Sequence, residues 1–207
     1  MRKRYVKLLR RLNADIDLQK SFDLTNLIIY SGPNRAYHNL NHIKECLDEF
    51  ETSKHLAEKP DELEMAIWYH DIIYDTEKKD NEEESAKFAY DICKSIKLSK
   101  IFAQRVHDLI LFTKHNKLPD IIDGKLIIDI DLSILGKPSE RFNEYEKSIR
   151  KEYSWVSEQY FRDGRSSILQ GFLDRPSIYL TEFFQKKYES SARKNLANSI
   201  KNLKRIN

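Results

Sequence analysis

The sequence is short of the residues that punctuate a chain. Five glycines and five prolines in 207 residues leave few places for tight turns. That argues against a fold of many short strands and for long helices. Cysteine is nearly absent: Cys46 and Cys93 are the only two, so no disulfide framework is expected. Both fall in helical patterns and read as small buried hydrophobes. No apolar run approaches the roughly 18–20 residues of a bilayer span. The opening MRKRYVKLLRRLN has the positive start of a secretory signal but no apolar stretch behind it. A cytoplasmic protein with no membrane partner is therefore expected. An excess of one charge is also lacking. Thirty-six Lys and Arg against 33 Asp and Glu leave a net charge of +3, which speaks against nucleic acid as a partner. Two basic clusters, Arg2, Lys3, Arg4, Lys7, Arg10 and Arg11 at the start and Lys194, Lys201, Lys204 and Arg205 at the end, read as solvated faces of terminal helices.

What is present is helical periodicity. Residues 3–20 pattern as a basic amphipathic helix, and 23–31 as a second that Gly32-Pro33 ends. From Asn39 to about Glu58, Leu40, Ile43, Leu47 and Phe50 repeat at helical spacing. Pro60-Asp61 opens a helix with Asp61 and Glu64 at capping-box spacing. Its stretch LEMAIWYHDIIY is apolar nearly all round, so it should be buried. Asp80 and Glu83 start the next helix in the same way, and Ser99 caps one that runs to about Lys114. Further helices are expected over roughly 121–135, 139–154, 157–174 and 181–205. Asp123-Gly124 and Asp163-Gly164 would signal hairpins only with alternating apolar flanks, which neither has on both sides. KLIIDIDLSIL could be a strand, but it has no partner strand and is read as helix. With no repeat and no linker, the expectation is an all-α single domain over 1–207.

Three segments carry chemistry. His70-Asp71 sits in the apolar helix, where a carboxylate is costly unless paired or bound to a metal. Consecutive helical residues diverge by about 100°, so both side chains reach one helix edge. A metal site and a hydrogen-bonded core pair both satisfy the dipeptide. In Tyr37-His38-Asn39-Leu40-Asn41-His42 the histidines are i and i+4, which places them on one face of a helix starting near residue 38. Imidazole suits Zn, Fe, Mn and related ions. Ile127-Ile128-Asp129-Ile130-Asp131 sets two carboxylates in an apolar run, either of which would complete a site of two His and two Asp.

The order His, His-Asp, Asp over about 35–135 resembles the HD superfamily of metal-dependent phosphohydrolases, with 139–207 as a helical C-terminal extension. Tyr37-His38-Asn39-x-x-His42 is similar to the motif of the cyclic-nucleotide phosphodiesterases. That resemblance implies His38 as the acid toward the leaving oxygen and His42 as a metal ligand. Asp131-Leu132-Ser133 is similar to the same family's Asp-Leu-Ser, which selects Asp131 over Asp129. The implied ligand set is thus His42, His70, Asp71 and Asp131. Much of the chain also resembles a bacterial family of predicted HD phosphohydrolases. The supporting segments are Tyr37–Ile43, His70 through Asp75 to Glu82, Thr113–His115, Asp129–Gly136 and Gly164-Arg165. The phosphodiesterases' further His and Asp residues and their glutamine have no clear counterpart. One divalent transition metal (Mn, Fe, Co, Ni or Zn) is therefore expected, with room for a second through His115 or Asp75.

The implied activity is hydrolysis of a phosphate ester of a nucleotide or related small molecule. Asp75, at a position that is also acidic in the guanosine-tetraphosphate hydrolases, would orient the attacking water. Lys114, His115 and Arg165 are candidates for binding the phosphate. Two rival readings are a di-iron oxygenase, which would need additional His ligands, and a non-catalytic regulatory module that keeps the metal. The resemblance also allows a homodimer.

Overall fold

The computed structural model describes residues 1–14 and 28–205. Among the described residues the chain is all-α, with no strand. The nine helices of ten or more residues are α1 (Arg2–Arg11), α2 (Leu40–Ser53), α3 (Pro60–Tyr69), α4 (Asn81–Ser95), α5 (Lys100–Leu111), α6 (Ile122–Asp131), α7 (Ser139–Glu152), α8 (Glu158–Leu173) and α9 (Glu182–Arg205). A single helical turn lies at Ile28–Tyr30, and the remainder of the helix expected over 23–31 falls outside the described residues. The helix expected over 3–20 is shorter than expected: it ends at Arg11, with Leu12 as its C-cap and Asn13 in the left-handed region at φ 50°, and residues 15–20 lie outside the described residues. The chain divides into two compact units, Met1–Ile130 and Asp131–Asn207. The division falls inside the last turn of α6, so Asp131 ends a helix that otherwise belongs to the first unit.

The first unit is built around α3. Leu63 through Tyr69 are all buried, as an apolar surface all round the helix dictates. Helices α1, α2, α4 and α5 cover it. Its start is held in a way that the local sequence does not disclose. Asp61 is not the N-cap; Lys59 is, and it makes no side-chain cap bond. Instead Asp123 of α6, fully buried, accepts the backbone N–H groups of Glu58 (2.8 Å) and Lys59 (3.1 Å) and the guanidinium of Arg105 (2.9 Å). The expected capping box is absent because its two acids serve α1. Arg4 donates to Glu64 at 3.1 Å, and Arg11 donates to Glu64 and Asp61 at 2.7 Å each. The N-terminal basic cluster is therefore partly structural, not wholly a solvated face. Asp80 likewise makes no cap bond at the start of α4, whereas Ser99 does cap α5. Both Asp-Gly pairs are helical. Gly124 is required by closeness: a Cβ there would sit 2.6 Å from Pro119 Cβ.

In the second unit, a 3-10 turn at Leu132–Gly136 follows α6 and packs on α9. Gly136 is a packing glycine, since a Cβ there would overlap Tyr188 and lie 2.8 Å from its ring. Asn195 of α9 donates to the Leu135 and Lys137 carbonyls at 2.8 and 2.9 Å. Tyr179 donates to the Leu132 carbonyl at 3.1 Å. These bonds satisfy the carbonyls that the tight 3-10 turn leaves open.

Candidate metal centre

Helix α3 ends at Tyr69, one residue before the His-Asp pair. His70 is its C-cap, and Asp71 lies in the turn that follows. The expectation that both sit inside one helix is corrected here. Asp71 reaches the histidines from that turn. The first His segment is corrected too. Helix α2 begins at Leu40, with the Asn39 side chain accepting the Asn41 N–H at 2.8 Å. His38 therefore precedes the helix and does not share a helical face with His42. It is held instead by its ring, which stacks on Tyr74 with centroids 3.9 Å apart.

His42 Nε2 and His70 Nε2 are 3.0 Å apart. Asp71 Oδ2 lies 3.2 Å from the first and 3.1 Å from the second. Both imidazoles are buried. The Asp71 Oδ2 atom is buried as well and receives no hydrogen bond. His70 Nδ1 bonds the Ile67 carbonyl at 3.0 Å, which places the proton on Nδ1 and the lone pair on Nε2, facing the other two atoms. Burial pushes the Asp71 carboxyl up. The charge of His70, the close polar contacts of the His42 and His70 rings with the carboxylate, and the charge of His38 outweigh it and hold the carboxyl well below the ordinary carboxylate range.

Three electron-rich atoms facing one another at about van der Waals separation repel unless a cation or a proton lies among them. A metal about 2.0–2.2 Å from each of three ligands at right angles sets them ~3 Å apart, so the triangle fits an ion. A wider group contains His42, Cys46, His70 and Asp131, whose ligand atoms lie within 4.8 Å of one another. Three of the four expected ligands, His42, His70 and Asp131, belong to this group, and Asp71 closes the triangle with the two histidines. Cys46 is the member that sequence reading took for a small hydrophobe. Its signal was its position four residues after His42 on α2. Its Sγ is 3.7 Å from both ring nitrogens of His42. Equal distances put the sulfur beside the ring and not along the Nε2 lone pair, so it packs against the ligand. Cys93 is a small buried group, and burial pushes its thiol up to about 12.

The stretch after Asp71 is not helical, and side chains from elsewhere bond its backbone. Arg35 donates to the carbonyls of Asp71 (2.7 Å) and Ile72 (2.8 Å). Ser85 of α4 accepts the Ile73 N–H at 3.0 Å and donates to the Ile73 carbonyl at 3.1 Å. Asn81 accepts the Asp75 N–H at 3.0 Å and donates to its carbonyl at 2.9 Å. Sequence reading missed Arg35 and Ser85, because a bond from a side chain to a distant backbone leaves no periodic trace.

The remaining candidates are placed as follows. Asp75 is exposed, and its carboxylate accepts the Glu77 N–H at 3.0 Å. Lys114 donates to the Lys79 carbonyl at 3.1 Å and pairs with Glu83. His115 takes a left-handed backbone, φ 57°, just after the 3-10 turn that ends at Lys114, a conformation histidine tolerates better than most side chains. In the second unit Arg165 is buried, bonds Glu146 and lies over the Tyr145 ring at 5.1 Å. No helix among the described residues is long and apolar enough to cross a membrane.

Comparison with family models, curated proteins and solved structures finds no match. What fold and site define is an all-α protein, among its described residues, with a cluster of two buried His, a buried Cys and a partly exposed Asp that could hold a metal ion.

Proposed function

We propose that this protein is a metal-dependent phosphohydrolase of the HD type, acting on a phosphate ester of a nucleotide-like small molecule. The observation that carries the reading is the buried triangle of His42 Nε2, His70 Nε2 and Asp71 Oδ2, with no hydrogen-bond donor to the carboxylate oxygen. Asp131 completes the ligand set from the end of α6. A divalent ion bound there would polarise a phosphoryl oxygen and lower the pKa of a bound water.

The chain's own residues take the other roles. His38 is the acid toward the leaving oxygen. It is half-buried beside His42, with ring centroids 5.8 Å apart, and its stacking on Tyr74 fixes the direction of its ring nitrogens. Asp75 would orient water, which requires its carboxylate to exchange the Glu77 N–H for a water molecule. Lys114, His115 and Arg165 are the phosphate candidates, and Lys114 and Arg165 would have to exchange their carboxylate partners, Glu83 and Glu146, for the phosphate.

The test is metal analysis combined with a phosphoester panel on wild type and Asp71→Ala. Wild type should carry a transition metal and cleave at least one ester, and the variant should lose both. If Asp71→Ala keeps its metal and its activity, the reading is wrong. Bound metal with no activity across the panel would favour a regulatory module over an enzyme.

A further inference from the structure

We propose that Arg35 is a positioning residue of this site, a side chain that fixes His38 and Asp71 relative to each other. The inference rests on the metal-site reading above. One nitrogen of the guanidinium, Nη1, donates to the His38 carbonyl at 3.0 Å and to the Asp71 carbonyl at 2.7 Å. The other, Nη2, donates to the Ile72 carbonyl at 2.8 Å. Residues 38 and 71 come from segments that share no helix, yet one atom spans them.

The guanidinium is itself fixed by aromatic faces. It lies over Tyr30 at 5.2 Å and Tyr74 at 5.7 Å. Tyr74 in turn stacks on the His38 ring. His38 is therefore gripped twice, at its carbonyl by Arg35 and at its ring by the tyrosine on which Arg35 rests. Tyr30 is anchored by its hydroxyl, which donates to the Trp68 carbonyl at 3.0 Å in the last turn of α3. The circuit runs from the helix that presents His70, through Tyr30 and Arg35, to His38 and Asp71.

Only a planar fork does this. A lysine ammonium keeps the charge, but it cannot reach carbonyls in two directions while lying flat on two rings. Partners that orient metal ligands from behind typically change metal affinity 10–100-fold when they are lost. A positional effect of that size is expected here, with the ligands themselves intact.

The second unit provides the control. Arg193 also donates to three backbone carbonyls, those of Leu173 (3.0 Å), Arg175 (2.9 Å) and Pro176 (3.1 Å). It does so in a stretch that holds none of the proposed ligands. Arg35→Lys and Arg193→Lys therefore remove the same kind of clamp, only one of them at the site.

The experiment titrates the full-length apo-protein with Co²⁺ and follows both affinity and the visible d–d spectrum, with far-UV circular dichroism as the check on folding. Arg35→Lys is expected to keep its helical signal, to bind Co²⁺ about 10–100-fold more weakly and to show a shifted spectrum. Arg193→Lys is expected to match wild type in both. Wild-type affinity and spectrum in Arg35→Lys would overturn the proposal. Loss of helical signal in both Arg35→Lys and Arg35→Gln would also overturn it, by making Arg35 a residue of the fold. A wild type that binds no Co²⁺ would overturn the metal reading itself, and this proposal with it.

Discussion

Two stretches of the chain leave the helix and are held by side chains: 70–80, after α3, and 174–181, before α9. Each has an arginine that donates to three carbonyls, Arg35 in one and Arg193 in the other. Each also has a carboxylate turned toward it, and there the two part. Glu189 accepts the N–H groups of Ile178 (3.1 Å) and Tyr179 (3.3 Å), the Ser177 hydroxyl (3.1 Å) and the Arg193 guanidinium (2.8 Å). Asp71 Oδ2 receives no donor and faces two imidazole nitrogens. The same architecture closes one carboxylate with protein donors and leaves the other directed at ligand atoms. That contrast is the physical ground for placing a metal at the first stretch and a purely structural role at the second.

The largest effect is expected from ligand binding to the native state. At metal concentrations 100 times Kd, wild type should gain about 2.7 kcal/mol of stability, read as a rise in Tm that a chelator reverses. Asp71→Ala should lose that rise. Glu189→Gln should keep it, from whatever baseline it starts. If both variants respond to metal alike, the two carboxylates do not differ as described.

Next in size is the structural carboxylate. Glu189→Ala orphans the N–H groups of Ile178 and Tyr179, and an unsatisfied buried donor costs about 1–3 kcal/mol. The midpoint of urea unfolding should fall accordingly, with the metal response intact.

Proton competition gives a third measure. The Asp71 carboxyl is held below its ordinary range, so it stays ionised on the acid side until pH falls below the usual carboxylate values. A depressed carboxylate contributes its binding energy above that range and loses it only below. Metal occupancy followed by equilibrium dialysis should therefore fall on acidification before the Asp71 carboxyl takes up its proton, as protons compete with the metal for the imidazole ligands. Loss confined to pH 4 and below would mean that carboxylates alone hold the ion.

The smallest effect is expected at Cys46. Its sulfur lies beside the His42 ring and not along the lone pair, so Cys46→Ala should change metal affinity less than about threefold while costing some packing. A loss as large as that of Asp71→Ala would make the thiolate a ligand.

The helices were largely legible in the sequence, because burial of one face imposes periodicity on the residues that form it. Helix α3 was recognisable as buried from its apolar circumference, and Ser99 as a cap from its position. The site was legible by residue type but not by mechanism of placement. His70 and Asp71 stood out as polar groups in apolar surroundings, His42 by its spacing from His38, and Asp131 was separated from Asp129 only by the resemblance of Asp131-Leu132-Ser133 to a family motif. That His70 caps a helix, and that His38 lies outside one, depends on bonds to Arg35, Asn39 and Tyr74 that local periodicity does not encode. Asp123 at the start of α3, Glu64 under α1 and Gly136 against Tyr188 escaped for the same reason: each meets a partner 50 or more residues away.

The most direct measurement of the central claim is the transition-metal content of the purified protein, by mass spectrometry, in wild type and Asp71→Ala side by side. About one ion per chain is expected in wild type and almost none in the variant. Equal metal content in the two, or none in wild type after reconstitution with Mn²⁺, Fe²⁺, Co²⁺, Ni²⁺ and Zn²⁺ in turn, would contradict it.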